Sequence, residues 1–352
     1  MPKLFLHAGT HKTGTTALQS FAVANRAQLL ERGLLYPDYA PLSIPLKDGH
    51  HQFAHSLAEV SSARMAYEEV SGLPAHWLQL AREHQADVLI SVESMYRHCV
   101  GEGSFLQRRR QFLERVATVL SDFDIEVVLV YRRPDDFARS LYQEIINSRT
   151  PTPTLPNLAD WLNQEDRHQV RYHESASLFR EVFPRTRVRI YEDCIRGDGL
   201  YVNFFGLLGV DVSDLPTPGK VRKSLNAPQT VVKNYANDAL PTKVSSDAFV
   251  EWLQTDRIAS TIERAFGGTR FDLWQSHEER QAFLDSRATD LEAFRESFFP
   301  ERGALFPQLQ AGDTLPPVPE IPDEIRHLVD DYLRRRSRKK TLRRFWSFLR
   351  RR

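Results

Sequence analysis

Cysteine is almost missing from this chain: Cys99 and Cys194 are the only two among 352 residues. Two such residues cannot build a disulfide framework, and neither has a neighbour at zinc-ligand spacing. Both read as ordinary thiols. Long hydrophobic runs are missing as well. No stretch reaches the ~18 apolar residues that cross a bilayer. No leader-like segment precedes the first apolar run, because Met1-Pro2-Lys3 leads straight into it. A cytoplasmic protein is the expectation. No internal repeat is found.

What remains suffices for a sizeable core, with 41% of residues apolar. The formal net charge of +1 conceals an asymmetry. The last 19 residues, "RRRSRKKTLRRFWSFLRRR" from Arg334, hold 11 Lys/Arg and no acid. The rest of the chain carries 36 basic against 46 acidic residues, a net of −10. The tail is therefore a separate electrostatic object. Written as a helix, it sets Leu342, Phe345, Trp346, Phe348 and Leu349 among arginines, the pattern of a membrane-surface anchor. A disordered basic tail is the plainer alternative. No nucleic-acid partner is expected, because no nucleic-acid motif accompanies the charge.

Four β-rich runs punctuate the chain: "KLFLHA" (3–8), "ADVLISVE" (86–93), "IEVVLVY" (125–131) and "RVRIYE" (187–192). Helical periodicity covers 15–31, 51–60, 104–120, 134–147, 157–164 and 173–183. Pro- and Gly-broken loops fall at 36–51, 150–157, 215–226 and 313–324. Strands alternating with helices predict an α/β fold: a P-loop-like parallel sheet flanked by helices, with a largely helical C-terminal part. The expected organisation is one domain over 1–312, a Pro-rich segment and helix over 313–333, and the basic tail over 334–352. In such sheets ligands sit beyond the carboxyl ends of the strands. The loop after the first strand, Glu93 and Arg132 all fall there.

The loop after the first strand reads "HAGTHKTGTTALQ", His7 to Gln19. Gly9 and Gly14 permit a tight path, and backbone N–H groups at a helix start suit an anion. Thr13, Thr15 and Thr16 bring hydroxyls. A kinase-type phosphate loop would be G-x-x-x-x-G-K followed by Ser or Thr. The glycine spacing matches, but Thr15 fills the lysine position and the lysine stands upstream at Lys12. That placement suits a 5′-phosphosulfate better than the β- and γ-phosphates of ATP.

"HKTGTTALQ" resembles the 5′-phosphosulfate loop of sulfotransferases that use 3′-phosphoadenosine 5′-phosphosulfate. It is most similar to heparan N-sulfotransferase domains and bacterial carbohydrate sulfotransferases. The second motif of that family, an Arg after a strand with Ser eight residues on, is matched by Arg132 and Ser140 in "YRRPDDFARS". An Arg there offers planar, charge-assisted bonds to the 3′-phosphate. Arg133 competes for the role, one residue short of the spacing. The third, looser element is a basic loop, matched by Arg222, Lys223 and Ser224, with Gly9, His11, Lys12, Thr13, Gly14, Thr15 and Thr16 forming the first. The resemblance covers about residues 3–230.

It implies transfer of a sulfuryl group to a hydroxyl, or to an amine, of a carbohydrate or glycolipid. Lys12 would stabilise the leaving phosphate. Glu93 is the favoured general base, in the position where several heparan sulfotransferases have a glutamate after the second strand. His7, His11, His51 and His55 are rival bases, and Glu93 could instead hold a metal or pair with an arginine. His51 and His55 share a spacing that also suits zinc, but the glutamate of H-E-x-x-H is missing, so substrate contact is the better reading. The heparan enzymes carry a histidine shortly after the 3′-phosphate serine. Here that position is Glu144, which leaves N-sulfation in doubt and makes Glu144 a weak substrate-contact candidate. No metal is expected. The alternatives are a kinase or other phosphotransferase using magnesium-ATP, and a nucleotide-binding membrane-surface protein without catalysis.

Overall fold

The computed structural model describes residues 1–10, 12–148, 152–164, 170–219 and 224–349, with the backbone alone at 311 and 337–349. The chain divides into two compact units. One comprises Met1–Phe137, Arg167–Val221 and Ser286–Pro307; the other comprises Ala138–Asp166, Arg222–Asp285 and Gln308–Arg352.

The first unit is built on five parallel strands: β1 Lys3–His7, β2 Leu34–Leu35, β3 Asp87–Ser91, β4 Asp124–Tyr131 and β5 Thr186–Ile190. Their order across the sheet is β2-β3-β1-β4-β5. A parallel sheet needs both faces covered, which explains the near-continuous apolar runs of the central strands. Alternation sorts these runs between two cores. Leu4, Leu6, Val88, Ile90, Val127 and Leu129 face Trp77, Phe112 and Phe179. Phe5, Leu89, Val128 and Val130 face Phe21, Phe204 and Phe205. The α/β expectation holds, including the parallel sheet flanked by helices and the helical C-terminal part.

Four local features depart from the sequence pattern. The helix expected over 15–31 is two, Thr15–Ala24 and Arg26–Glu31. Asn25 makes the break, its Nδ2 donating to Phe21 O at 3.0 Å and to Pro216 O at 3.1 Å. The strand expected over 187–192 ends at Ile190, and Tyr191–Cys194 turns helical. β2 is too short to show a period, and the helix Tyr67–Glu83 carries Pro74 and Gly72, which obscured it.

The second unit is helical. Ala227–Ala236, Lys243–Leu253, Asp256–Ala265 and the start of Asp323–Leu349 pack around Val232, Phe249, Ile262, Ile325 and Val329. Among the described residues no helix is long and apolar enough to cross a membrane.

Candidate functional site

β1 lies between β3 and β4, so the chain leaves these three strands at neighbouring points of one sheet edge. The loop after β1 is pinned along β4. Ala8 N donates to Val128 O and Thr10 N to Val130 O, both at 3.1 Å. Thr10 Oγ1 also donates to Val130 O at 3.1 Å. A Cβ on Gly9 would lie 2.5 Å from Val130 N, so only glycine fits. Thr13 Oγ1 donates to Thr10 O at 2.7 Å and closes the turn on itself. That hydroxyl spends its proton inside the loop.

Lys12 and Gly14 are in the left-handed region, at φ 68° and 76°. For lysine this backbone is strained, by about 1 kcal/mol. The helix Thr15–Ala24 then begins with no side-chain cap and no acid in its first turn. Its N-terminal amides and dipole offer a positive end. Thr15 is buried there, whereas Thr16 is exposed.

Arg132 follows β4 directly. Its Nη1 donates to Lys12 O at 3.4 Å, joining the two segments that the motifs single out. Its guanidinium lies 5.5 Å from the Tyr191 ring centre. Its Nε is buried with no hydrogen-bond partner among the described residues. Arg133 differs. Its Nε and Nη2 both donate to the Asp135 carboxylate at 2.8 Å, making a bidentate pair with a fully buried partner. Arg132 is thus the arginine with donor capacity to spare.

Glu93 follows β3. Gln19 Nε2 donates to its Oε2 at 3.1 Å and to Ser91 Oγ at 3.2 Å. His51 Nε2 stands 3.9 Å from Glu93 Oε1, and His51 Nδ1 contacts Ser94 Oγ at 3.2 Å. The Glu93 side chain keeps 12% exposure. His7 is fully buried, with Nδ1 3.0 Å from Ser91 Oγ. Burial holds its pKa down to about 4, against a weaker opposing pull from Glu93. A neutral His7 is a poor base in a sealed position. His55 pairs with His98, Nδ1 to Nε2 at 2.9 Å, and burial likewise lowers it to about 4.

The first unit therefore brings Gly9, Lys12, Thr13, Gly14, Thr15, Thr16, Glu93, His51 and Arg132 to one sheet edge. Ser140 and Glu144 lie in the helix Pro134–Ile146, in the portion assigned to the second unit; the exposed Ser224, outside any helix, belongs to the same unit. His11, Arg222 and Lys223 fall outside the described residues.

Sequence reading missed Gln19, Ser91 and Glu192. Gln19 is a polar residue beside the apolar stripe of its helix and is only 1% exposed. Glu192 accepts from Arg133 N at 3.1 Å, and burial raises its pKa. Nothing in "RIYED" announced it.

No protein-family model, curated protein or solved structure matches the chain.

Proposed function

We propose that this protein is a sulfotransferase. Its co-substrate is 3′-phosphoadenosine 5′-phosphosulfate, and its acceptor is a hydroxyl, or alternatively an amine, of a carbohydrate or glycolipid. The observation that carries the reading is Arg132: a guanidinium tied to the Lys12 backbone, with a buried Nε that has no hydrogen-bond partner among the described residues. An orphaned charged donor beside an uncapped helix start fits a ligand with well-separated anionic groups.

Bound phosphosulfate supplies an activated sulfuryl group. The chain's own residues do the rest. The amides of the loop and of the helix Thr15–Ala24 hold the 5′-phosphate, and Lys12 offsets charge that gathers on it as the sulfuryl group departs. Arg132 takes the 3′-phosphate. Glu93, aimed by Gln19 and neighboured by His51, receives the acceptor's proton. The basic tail would bring the protein to the surface of a membrane that carries the acceptor.

The test is calorimetric titration of the full chain with 3′-phosphoadenosine 5′-phosphate, and separately with magnesium-ATP, on wild type and Arg132→Ala. Metal-independent binding of the bisphosphate, weakened at least tenfold by the substitution, is expected. Preference for magnesium-ATP, or indifference to Arg132, would replace this reading with a phosphotransferase, which the Gly9/Gly14 spacing favours.

A further inference from the structure

The second unit carries a cleft that the sulfotransferase reading does not use. It has a volume of about 380 Å³ and is lined by Trp252, Arg257, Leu328, Asp331, Tyr332, Arg335 and Arg336. That is large enough for a small organic ligand. Its wall is aromatic. Trp252 and Tyr332 lie 4.5 Å apart between ring centres, with Phe249 behind them at 5.1 and 5.2 Å. Phe249 is fully buried, so this wall is anchored, while Trp252 and Tyr332 remain partly accessible.

Its rim is cationic. Arg336 donates to Tyr332 Oη at 2.9 Å and to Val244 O at 3.1 Å, both neutral acceptors. Among the described residues, no carboxylate forms an ion pair with Arg257, Arg335 or Arg336. Asp331, the only acid of the lining, pairs with Arg334 at 2.8 Å instead. Three guanidinium groups against the single acid of the lining, set beside an apolar wall, suit a phosphate carried on an organic group.

The position of the cleft adds a second argument. Arg335 and Arg336 belong to the helix Asp323–Leu349, which continues without interruption into the acid-free basic tail. Val244, whose carbonyl Arg336 holds, exposes 72% of its surface, the second-largest value among the exposed large apolar residues. A cationic pocket, an exposed apolar residue and a basic, aromatic-bearing tail on one helical unit have the chemistry of a lipid–water boundary.

We propose that this cleft binds a phosphoester, supplied by the headgroup of an anionic phospholipid, with the arginines on the phosphate and Trp252 against the glycerol carbons. This goes beyond the reading of the first unit and is independent of it.

The test uses the full chain in two arms. In the first, co-sedimentation is measured with vesicles of phosphatidylcholine alone or mixed with phosphatidylglycerol. Wild type should prefer the anionic vesicles. Arg257→Gln/Arg335→Gln should lose at least tenfold in apparent affinity. Arg343→Gln/Arg344→Gln, an equal charge loss in the tail, should lose clearly less. In the second arm, soluble glycerophosphoglycerol is titrated while tryptophan emission is followed. A saturable change, lost in Trp252→Phe and in Arg257→Gln/Arg335→Gln, is expected. Circular dichroism of each variant controls for folding.

A saturable response to the soluble ester without vesicle preference would support the site and assign it a free phosphoester. Selective loss of vesicle binding by the cleft variant, without a soluble response, would support the site and assign it the lipid. Equal losses from both double variants, with no Trp252 response, would overturn the proposal and leave only diffuse attraction by the tail.

Discussion

Gln19 Nε2 donates to Glu93 Oε2 at 3.1 Å and to Ser91 Oγ at 3.2 Å, so the first helix reaches across to the end of β3 and fixes a carboxylate. A fixed carboxylate abstracts a proton from a defined direction only. Under the sulfotransferase reading, Gln19→Leu should lower kcat by about ten- to a hundredfold, the scale on which misplacing a catalytic group costs rate. Affinity for the bisphosphate should change little. Steady-state kinetics together with calorimetry check this. A variant with weakened nucleotide binding and normal kcat would show that Gln19 does not act through Glu93.

Under the sulfotransferase reading, the two neighbouring arginines separate ligand binding from stability. Arg132→Ala removes the guanidinium with the orphaned Nε, so nucleotide affinity should fall at least tenfold with a small stability change. Arg133→Ala leaves Asp135, which is fully buried, without its bidentate partner. Breaking a buried pair by removing one member costs about 3 kcal/mol or more. Urea unfolding and calorimetry on both variants should therefore give opposite patterns. Matching patterns would remove the distinction.

Much of this layout was legible in the residues. The runs that became β1, β3 and β4 are strongly apolar because a parallel sheet is buried on both faces, and each strand ends within two residues of its expected bounds. Gly9 and Gly14 marked the loop because tight backbone approach has a compositional signature. Gln19 and Glu192 were not legible, because their roles arise from residues 72 and 59 positions away that only the sheet brings near. Nor could spacing decide between Arg132 and Arg133. That depended on Asp135 being turned inward, and two adjacent arginines before a proline carry no such information.

Gly9 makes a stringent test of the loop. A Cβ there would lie 2.5 Å from Val130 N and 2.8 Å from Val130 O, both backbone atoms that cannot rotate away. Gly9→Ala must push the loop off β4, against the bonds that Ala8 and Thr10 make to that strand. Overpacking of this kind costs about 1–3 kcal/mol. Gly14→Ala should be milder, although Gly14 has φ 76°, because its nearest neighbour is the movable Leu200 side chain at 2.5 Å. Thermal unfolding of the two variants should rank them in that order. The reverse order would mean that the left-handed turn, and not the contact with β4, dominates the loop's sequence requirement.

The buried histidines give the fold a defined response to acid. His50 is fully buried. Ser91 N donates to its Nδ1 at 3.2 Å, and its Nε2 reaches Pro37 O at 3.0 Å. This fixes a neutral ring, with Nδ1 accepting and Nε2 donating. A proton on Nδ1 would break the bond from Ser91. Burial holds His50 down to about 4, and holds His7 there too. An unfolded histidine titrates near 6.5, so between these values the unfolded chain binds more protons than the folded one. Stability is therefore retained above pH ~6.5 and lost as pH falls toward 4, by up to about 3 kcal/mol for each ring. Urea midpoints measured at pH 7, 6 and 5, where most carboxylates have not yet titrated, should fall steadily. In His50→Gln the starting stability should be lower and the slope with pH shallower. An unchanged slope in both His7→Gln and His50→Gln would place the acid sensitivity in other groups.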